Sequence, residues 1–207
     1  MSKQFTILKT IIKADYEQKI IQFSKTERLV SYLLIGDSLI GYFPQELIPS
    51  VYNQGIPGDT TLGVLNRLDL VIRLRPTTII IHVGSNDLVL TDLSTDEIVS
   101  NIKRIVETLQ TDLPNTRIYV LSLFPINEAV SNKAYLKYRD NKRLTLLNRQ
   151  LEAHLVSYYY PIDHLFKDEE NNLKLTYTKD GLHLTPSGYQ IFYEKIKDLL
   201  EERDNAG

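Results

Sequence analysis

The chain contains no cysteine, which excludes a thiol nucleophile, a disulfide framework, an iron–sulfur cluster and any cysteine-based zinc site. Net charge is also scarce. The 24 basic and 26 acidic residues nearly cancel, leaving −2 at pH 7, so bulk attraction to nucleic acid or to an anionic membrane is not expected. Long apolar runs are missing as well: residues 29–35 and 78–83 are the most apolar stretches, far short of the roughly 20 residues that cross a bilayer as a helix. Near the start, Lys3, Lys9, Lys13 and Asp15 interrupt Ile7, Leu8, Ile11 and Ile12, breaking up the apolar core that a secretory signal needs. The expectation is a soluble, cytoplasmic protein without stable membrane anchoring. Internal repeats, low-complexity tracts and Gly/Ser linkers are absent too. The 207 residues therefore read as a single domain over 1–207, with 1–27 as an N-terminal helical extension.

Short apolar runs punctuated by glycine are what the chain does have. Residues 29–35 stop at Gly36, residues 77–83 stop at Gly84, and residues 117–122 have the same character. None shows the polar/apolar alternation of a half-solvated sheet, so parallel strands covered on both faces are predicted. Residues 51–53 and, more weakly, 158–162 supply two further strands. Helical spacing lies between them. Leu62, Leu65, Leu68 and Ile72 form one series, Ile98, Ile102, Ile105 and Leu109 a second, and Leu144, Leu147, Leu151 and Leu155 a third. Ser94 and Glu97 make a capping-box pattern before the second series. Residues 186–200 read as a closing helix, 14–24 as a helix before the first strand, and 124–138 as a long loop able to shape a pocket. The β-α alternation predicts a doubly wound α/β fold with a five-stranded parallel sheet.

Ligands of such sheets bind beyond the carboxyl ends of the strands. Three loops fall there: Gly36-Asp37-Ser38-Leu39, the segment 54–61 with Gly58-Asp59, and Gly84-Ser85-Asn86-Asp87. A fourth cluster, Asp180-Gly181-Leu182-His183, precedes the closing helix. Its i, i+3 spacing can set a carboxylate beside one imidazole nitrogen and leave the other nitrogen free to face a pocket. Together these supply the parts of an acyl-transfer site. Ser38 is the candidate nucleophile, His183 the base and Asp180 the group that orients it; the Ser38 and Gly58 N–H groups and the Asn86 amide are candidates for an oxyanion hole. Asp37, Asp59 and Asp87 read as capping or loop-holding residues, His82 as a core histidine, and His154 and His164 as surface or packing residues.

The strings GDSL (36–39), GDTT (58–61), GSND (84–87) and DGLHLTPSGY (180–189) resemble, in order, the four signature blocks of the GDSL-type SGNH hydrolases. NQGIPGDTTLGVLNRL (53–68) looks most like the platelet-activating-factor acetylhydrolase catalytic-subunit branch, although Pro57 stands where that branch carries a small glycine. The resemblance implies a flavodoxin-like three-layer α/β/α sandwich, esterase activity on a small, short-chain (acetyl-like) ester, no metal or organic cofactor, and possible homodimerisation. Two other readings are a two-metal phosphoesterase using Asp37, Asp59, Asp87 and His183, and a catalytically silent binding module of the same fold. Against the first, the chain has only 4 histidines and none of the Asp-x-His or Gly-Asn-His strings of the calcineurin type. Against the second, no catalytic block is missing.

Overall fold

Five short segments rich in aliphatic residues form one parallel sheet. In the computed structural model, which describes residues 3–130 and 139–201, they are β1 (Tyr32–Gly36), β2 (Val51–Gly55), β3 (Thr78–His82), β4 (Arg117–Leu121) and β5 (Tyr159–Tyr160). The strand order is β2-β1-β3-β4-β5, every neighbour parallel. The helices are α1 (Lys3–Ser24), α2 (Ser38–Gly41), α3 (Thr61–Leu65), α4 (Asp69–Ile72), α5 (Asp87–Leu90), α6 (Thr95–Asp112), α7 (Asn141–His154) and α8 (Pro186–Glu201).

Side chains alternate between the two faces of a strand, and that period decides the layers. Leu33, Ile35, Ile79 and Ile81 enter one buried cluster with Val64 of α3, Val71 of α4, Ile102 of α6 and Leu147 of α7. Leu34 and Ile80 enter a second cluster with Leu39 and Ile40 of α2 and Phe192 and Ile196 of α8. Both faces are thus covered, giving the expected three-layer α/β/α sandwich. The helix α1 lies against the β2 edge, where Phe23 packs with Ile56 and Leu70.

The predicted capping box is present: Ser94 Oγ accepts from Glu97 N–H (3.3 Å) and Glu97 Oε2 accepts from Ser94 N–H (2.8 Å). Elsewhere the structure departs from expectation. The spacing of Leu62 to Ile72 predicts one helix, yet the chain forms α3 and α4 separated by Asn66, Arg67 and Leu68. Three-residue hydrogen bonds, Arg67 N to Val64 O and Leu70 N to Arg67 O (both 3.1 Å), tighten the chain here and turn Arg67 inward. Leu62 is consequently 42% exposed. The first strand starts at Tyr32, with Leu29 70% exposed before it; β5 has two residues, and α1 begins at Lys3. Residues 131–138 of the expected 124–138 loop lie outside the described residues, as do the side chains of Ile7, Leu8, Ile11 and Ile12. Among the described residues, no helix is long and apolar enough to cross a membrane.

One contact fixes how β1 delivers its loop. A Cβ on Gly36 would lie 1.9 Å from the His82 carbonyl oxygen of β3, and Gly36 has φ +150°; the next residue, Asp37, donates its N–H to that same oxygen at 3.1 Å. Gly36→Ala is therefore expected to destabilise the fold by about 3 kcal/mol or more, read as a lowered midpoint in thermal or urea unfolding. A loss below about 0.5 kcal/mol would contradict this backbone contact.

Candidate active site

Ser38 opens α2 directly after β1, at the first helical position, where no helix carbonyl is available to its N–H. Asp37 caps that helix, its side chain accepting from Leu39 N–H at 3.0 Å. From beneath, buried His82 Nδ1 lies 3.2 Å from Asp37 Oδ1. Thus the two side chains read as a cap and a core histidine meet under the serine.

Far along the chain, Asp180 organises its own turn. Its Oδ1 accepts from the N–H groups of Leu182 (2.9 Å) and His183 (2.8 Å), and its Oδ2 lies 2.7 Å from His183 Nδ1. Burial pushes this carboxyl's pKa up. The hydrogen bonds from the His183 ring, from His183 N–H and from Leu182 N–H, with the imidazole's charge, together outweigh burial and hold it well below the usual carboxylate range. An ionised carboxylate only accepts, so when the imidazole is neutral Nδ1 carries its proton and Nε2 is the acceptor. That Nε2 lies 3.1 Å from Ser38 Oγ. Tyr42 sets its ring edge-on to the imidazole, centroids 5.3 Å apart.

The reason these distant residues meet is that α2 and α8 share one face of the sheet. Phe43 packs edge-on against Tyr189 and Phe192, and the Tyr189 hydroxyl donates to Leu39 O at 3.1 Å. His183, just before α8, is thereby delivered to the start of α2.

Gly58 and Asn86 come from the loops after β2 and β3. Gly58 has φ +81°, a conformation that favours glycine. The Asn86 amide donates to Asp59 O at 2.9 Å, tying the two loops together. Asp59 does not cap α3; Thr60 does, accepting from Gly63 N–H. Asp59 instead accepts from Arg67 Nε (3.0 Å) and Nη2 (2.8 Å), a pair whose side chains are each 1% exposed. Asp87 reaches across to the β2 loop, accepting from Thr61 N–H and Thr61 Oγ1. These loop aspartates are thus committed to separate partners, an arrangement unlike the shared metal centre of the two-metal reading. His154 and His164 are exposed.

Sequence reasoning missed three contributors. Arg67 anchors Asp59, Tyr189 anchors α8 to α2, and buried Arg139 donates to Ser85 Oγ (3.0 Å), Ser85 O (3.2 Å) and Asn86 Oδ1. For Tyr189 and Arg67 a signal existed, since they lie in the DGLHLTPSGY and NQGIPGDTTLGVLNRL blocks; for Arg139 there was none.

With this geometry described, similarity to known proteins can be weighed. The GDSL-like Lipase/Acylhydrolase family model matches residues 35–191. The chain belongs to that family. As a GDSL-like protein it is a hydrolase acting on ester bonds. It is 31% identical over 183 residues to the platelet-activating factor acetylhydrolase IB subunit alpha2 of Rattus norvegicus, covering 82% of this chain and 77% of the relative. It is 26% identical over 174 residues to the N-acylneuraminate cytidylyltransferase of Escherichia coli O18:K1:H7, covering 81% of this chain but only 40% of that protein. Among solved structures, a Streptococcus pneumonia protein provisionally described as a platelet activating factor superposes with a TM-score of 0.85 at 28% identity, covering 94% of this chain and 97% of that one. A GDSL-like lipase from Bacteroides thetaiotaomicron, at 21% identity, shares the fold with a TM-score of 0.77 over 91% of this chain and 98% of its own.

The buried carboxylates of this GDSL-like site have a measurable signature. Burial pushes Asp59 and Asp87 up to about 6, against Arg67 in the first case and Thr61 in the second. A carboxyl raised on folding binds more protons in the native state between its unfolded and folded pKa values. The stability it contributes is complete below the unfolded value, about 3.9, and is lost as pH rises through about 6. Asp87→Asn, which keeps an acceptor for Thr61 but cannot ionise, should therefore gain in Tm relative to the native chain between about pH 4.5 and about pH 7. A constant difference across that range would contradict the shift.

Proposed function

We propose that the chain is a serine esterase that cleaves a carboxylic ester through an acyl-enzyme, with Ser38 as nucleophile, His183 as general base and Asp180 as its orienting partner. The observation that carries this reading is the continuous hydrogen-bonded file from Asp180 Oδ2 through the imidazole to Ser38 Oγ, 2.7 Å and 3.1 Å at its two junctions. In the reaction, Ser38 Oγ bonds to the ester carbonyl carbon as its proton passes to His183 Nε2. The carbonyl electron pair moves onto oxygen, where Ser38 N–H, Gly58 N–H and the Asn86 amide donate to it. Collapse breaks the bond to the alcohol oxygen, which takes the proton from His183. Water then repeats the sequence on the acyl-enzyme, losing its proton to His183 and freeing the acid and Ser38. Asp180, ionised throughout, stabilises the imidazolium formed in each half.

The substrate is proposed to be a small-molecule ester with a short, acetyl-like acyl group. The acetylhydrolase relatives support this.

Ser38→Ala and His183→Ala are each expected to lower kcat by about 10³-fold or more with unfolding midpoints little changed. Asp180→Asn should cost less, and Asn86→Ala about 10²–10³-fold in kcat with little change in KM. Hydrolysis of p-nitrophenyl esters of increasing acyl length checks both the roles and the acyl preference. Covalent capture of a fluorophosphonate by the native chain but not by Ser38→Ala checks the nucleophile; a folded native chain inert to the probe would favour the silent binding module.

A further inference from the structure

An asparagine amide can turn over, exchanging its donor and acceptor ends at little steric cost. For Asn86 to donate to a developing oxyanion, that exchange must be blocked. Its Oδ1 accepts from Arg139 Nη2, and turning the amide over would set its NH2 group against the guanidinium, donor facing donor. Of the two N–H groups then fixed on the other side, one is used by Asp59 O at 2.9 Å; the second is left for a ligand.

Arg139 is itself held by Ser85 as well as by Asn86. It is 6% exposed and its Nε donates to both Ser85 Oγ and Ser85 O, so a single guanidinium grips consecutive residues of the GSND block. Behind it, Asp140 caps α7 by accepting from Arg143 N–H at 2.7 Å. The helix α7 in turn is fastened by two amides two turns apart. Asn141 exchanges hydrogen bonds with Ile126 N–H and C=O (2.9 Å each), and Asn148 with Leu123 N–H (2.7 Å) and C=O (2.9 Å). The chain after β4 is thereby locked to α7 just where Arg139 leaves it.

We propose that Arg139 is a positioning residue for ester hydrolysis, holding the Asn86 amide in its donating orientation and strengthening it as a donor. The proposal rests on the reading of Asn86 as an oxyanion donor. A cation at the amide oxygen draws electron density from the nitrogen and makes its remaining N–H more acidic, so the bond to an anion formed in the transition state gains more than the bond to a neutral ester. The effect belongs in kcat rather than in KM.

The test is a double-mutant cycle on p-nitrophenyl acetate hydrolysis, with folding checked by circular dichroism and thermal melts. Arg139→Ala should lower kcat about 10- to 100-fold with KM changed less than about threefold. Arg139→Lys, which keeps the charge and serves as the second variant if alanine impairs folding, should recover only part of the loss, because one ammonium lacks the planar fork. In the Asn86→Ala background either Arg139 substitution should change kcat less than about twofold. Added ethylguanidinium should raise kcat of Arg139→Ala but not of the double variant. Losses that multiply in the double variant, or an unchanged kcat in folded Arg139→Ala, would overturn the proposal. An Asn86→Ala variant with native kcat would overturn both this proposal and the oxyanion reading beneath it, whereas fluorophosphonate capture at Ser38 reports on the nucleophile separately.

Discussion

A few buried polar side chains bind the loop after each central strand to the loop after its neighbour, and the geometry of the site depends on those bonds. Parallel strands end in loops that share no ladder hydrogen bonds, so nothing in the sheet itself sets their spacing. Here Asp87 from the β3 loop holds Thr61 of the β2 loop, and Asn101 of α6 donates to the same hydroxyl at 3.0 Å. Arg67 pairs with Asp59 and reaches Gly36 O of β1 at 3.5 Å. Stripping water from a carboxylate costs several kcal/mol, and the raised pKa values of Asp59 and Asp87 record how much of that cost is left unbalanced. What the arrangement secures is position: a carboxylate accepting two directed hydrogen bonds allows far fewer geometries than an aliphatic contact of equal volume.

The other half of the site is built differently. Asp180 and His183 have side chains 24% and 31% exposed and sit in irregular chain before α8, in a turn closed by an isolated bridge between Thr178 and Leu184. Its rigidity is local, with one carboxylate gathering two backbone N–H groups and an imidazole. It is also anchored from outside, by Asn127 N–H on Gly181 O and by Tyr189 on Leu39 O, at 2.8 and 3.1 Å. Burial raises the Asp180 carboxyl too, but its hydrogen bonds from His183 and Leu182 together outweigh that effect, so one site contains a carboxyl well below its ordinary pKa and others well above theirs.

Much of this could be read in the sequence because it is local. Strand runs stop at glycines, the Ser94–Glu97 box needs three residues of spacing, and the Asp180–His183 relation is contained in one turn. Failures occur where a distant partner overrides local pattern. The apolar series from Leu62 to Ile72 is a sound helical signal, but burying Arg67 against Asp59 twists the chain out of that helix. Arg139 carries no signal at all in its neighbourhood, since its targets, Ser85 and Asn86, lie more than fifty residues away and are met only after α7 has packed. Tyr189 lies between these cases: its block is recognisable, yet its bond to Leu39 O follows from α2 and α8 sharing a face.

The face that each connection takes also decides how the loops meet at the carboxyl ends of the strands. After β1 the chain turns to the face that carries α2 and α8; after β2 and β3 it turns to the face that carries α3, α4 and α6. Neighbouring strands whose connections leave on opposite sides cannot close over their common end. Ser38 and His183 therefore stand on one bank with the phenyl packing of Phe43, Tyr189 and Phe192 behind them, while Gly58 and Asn86 stand on the other above the buried Asp59–Arg67 and Asp87–Thr61 bonds. Under the proposed roles, proton transfer falls to one layer of the sandwich, and two of the three oxyanion donors, Gly58 and Asn86, come from the other. The short backbone from Gly36 to Ser38 carries the serine off the end of β1, and it rests on His82, whose carbonyl accepts from Asp37 N–H and whose ring meets the Asp37 carboxylate.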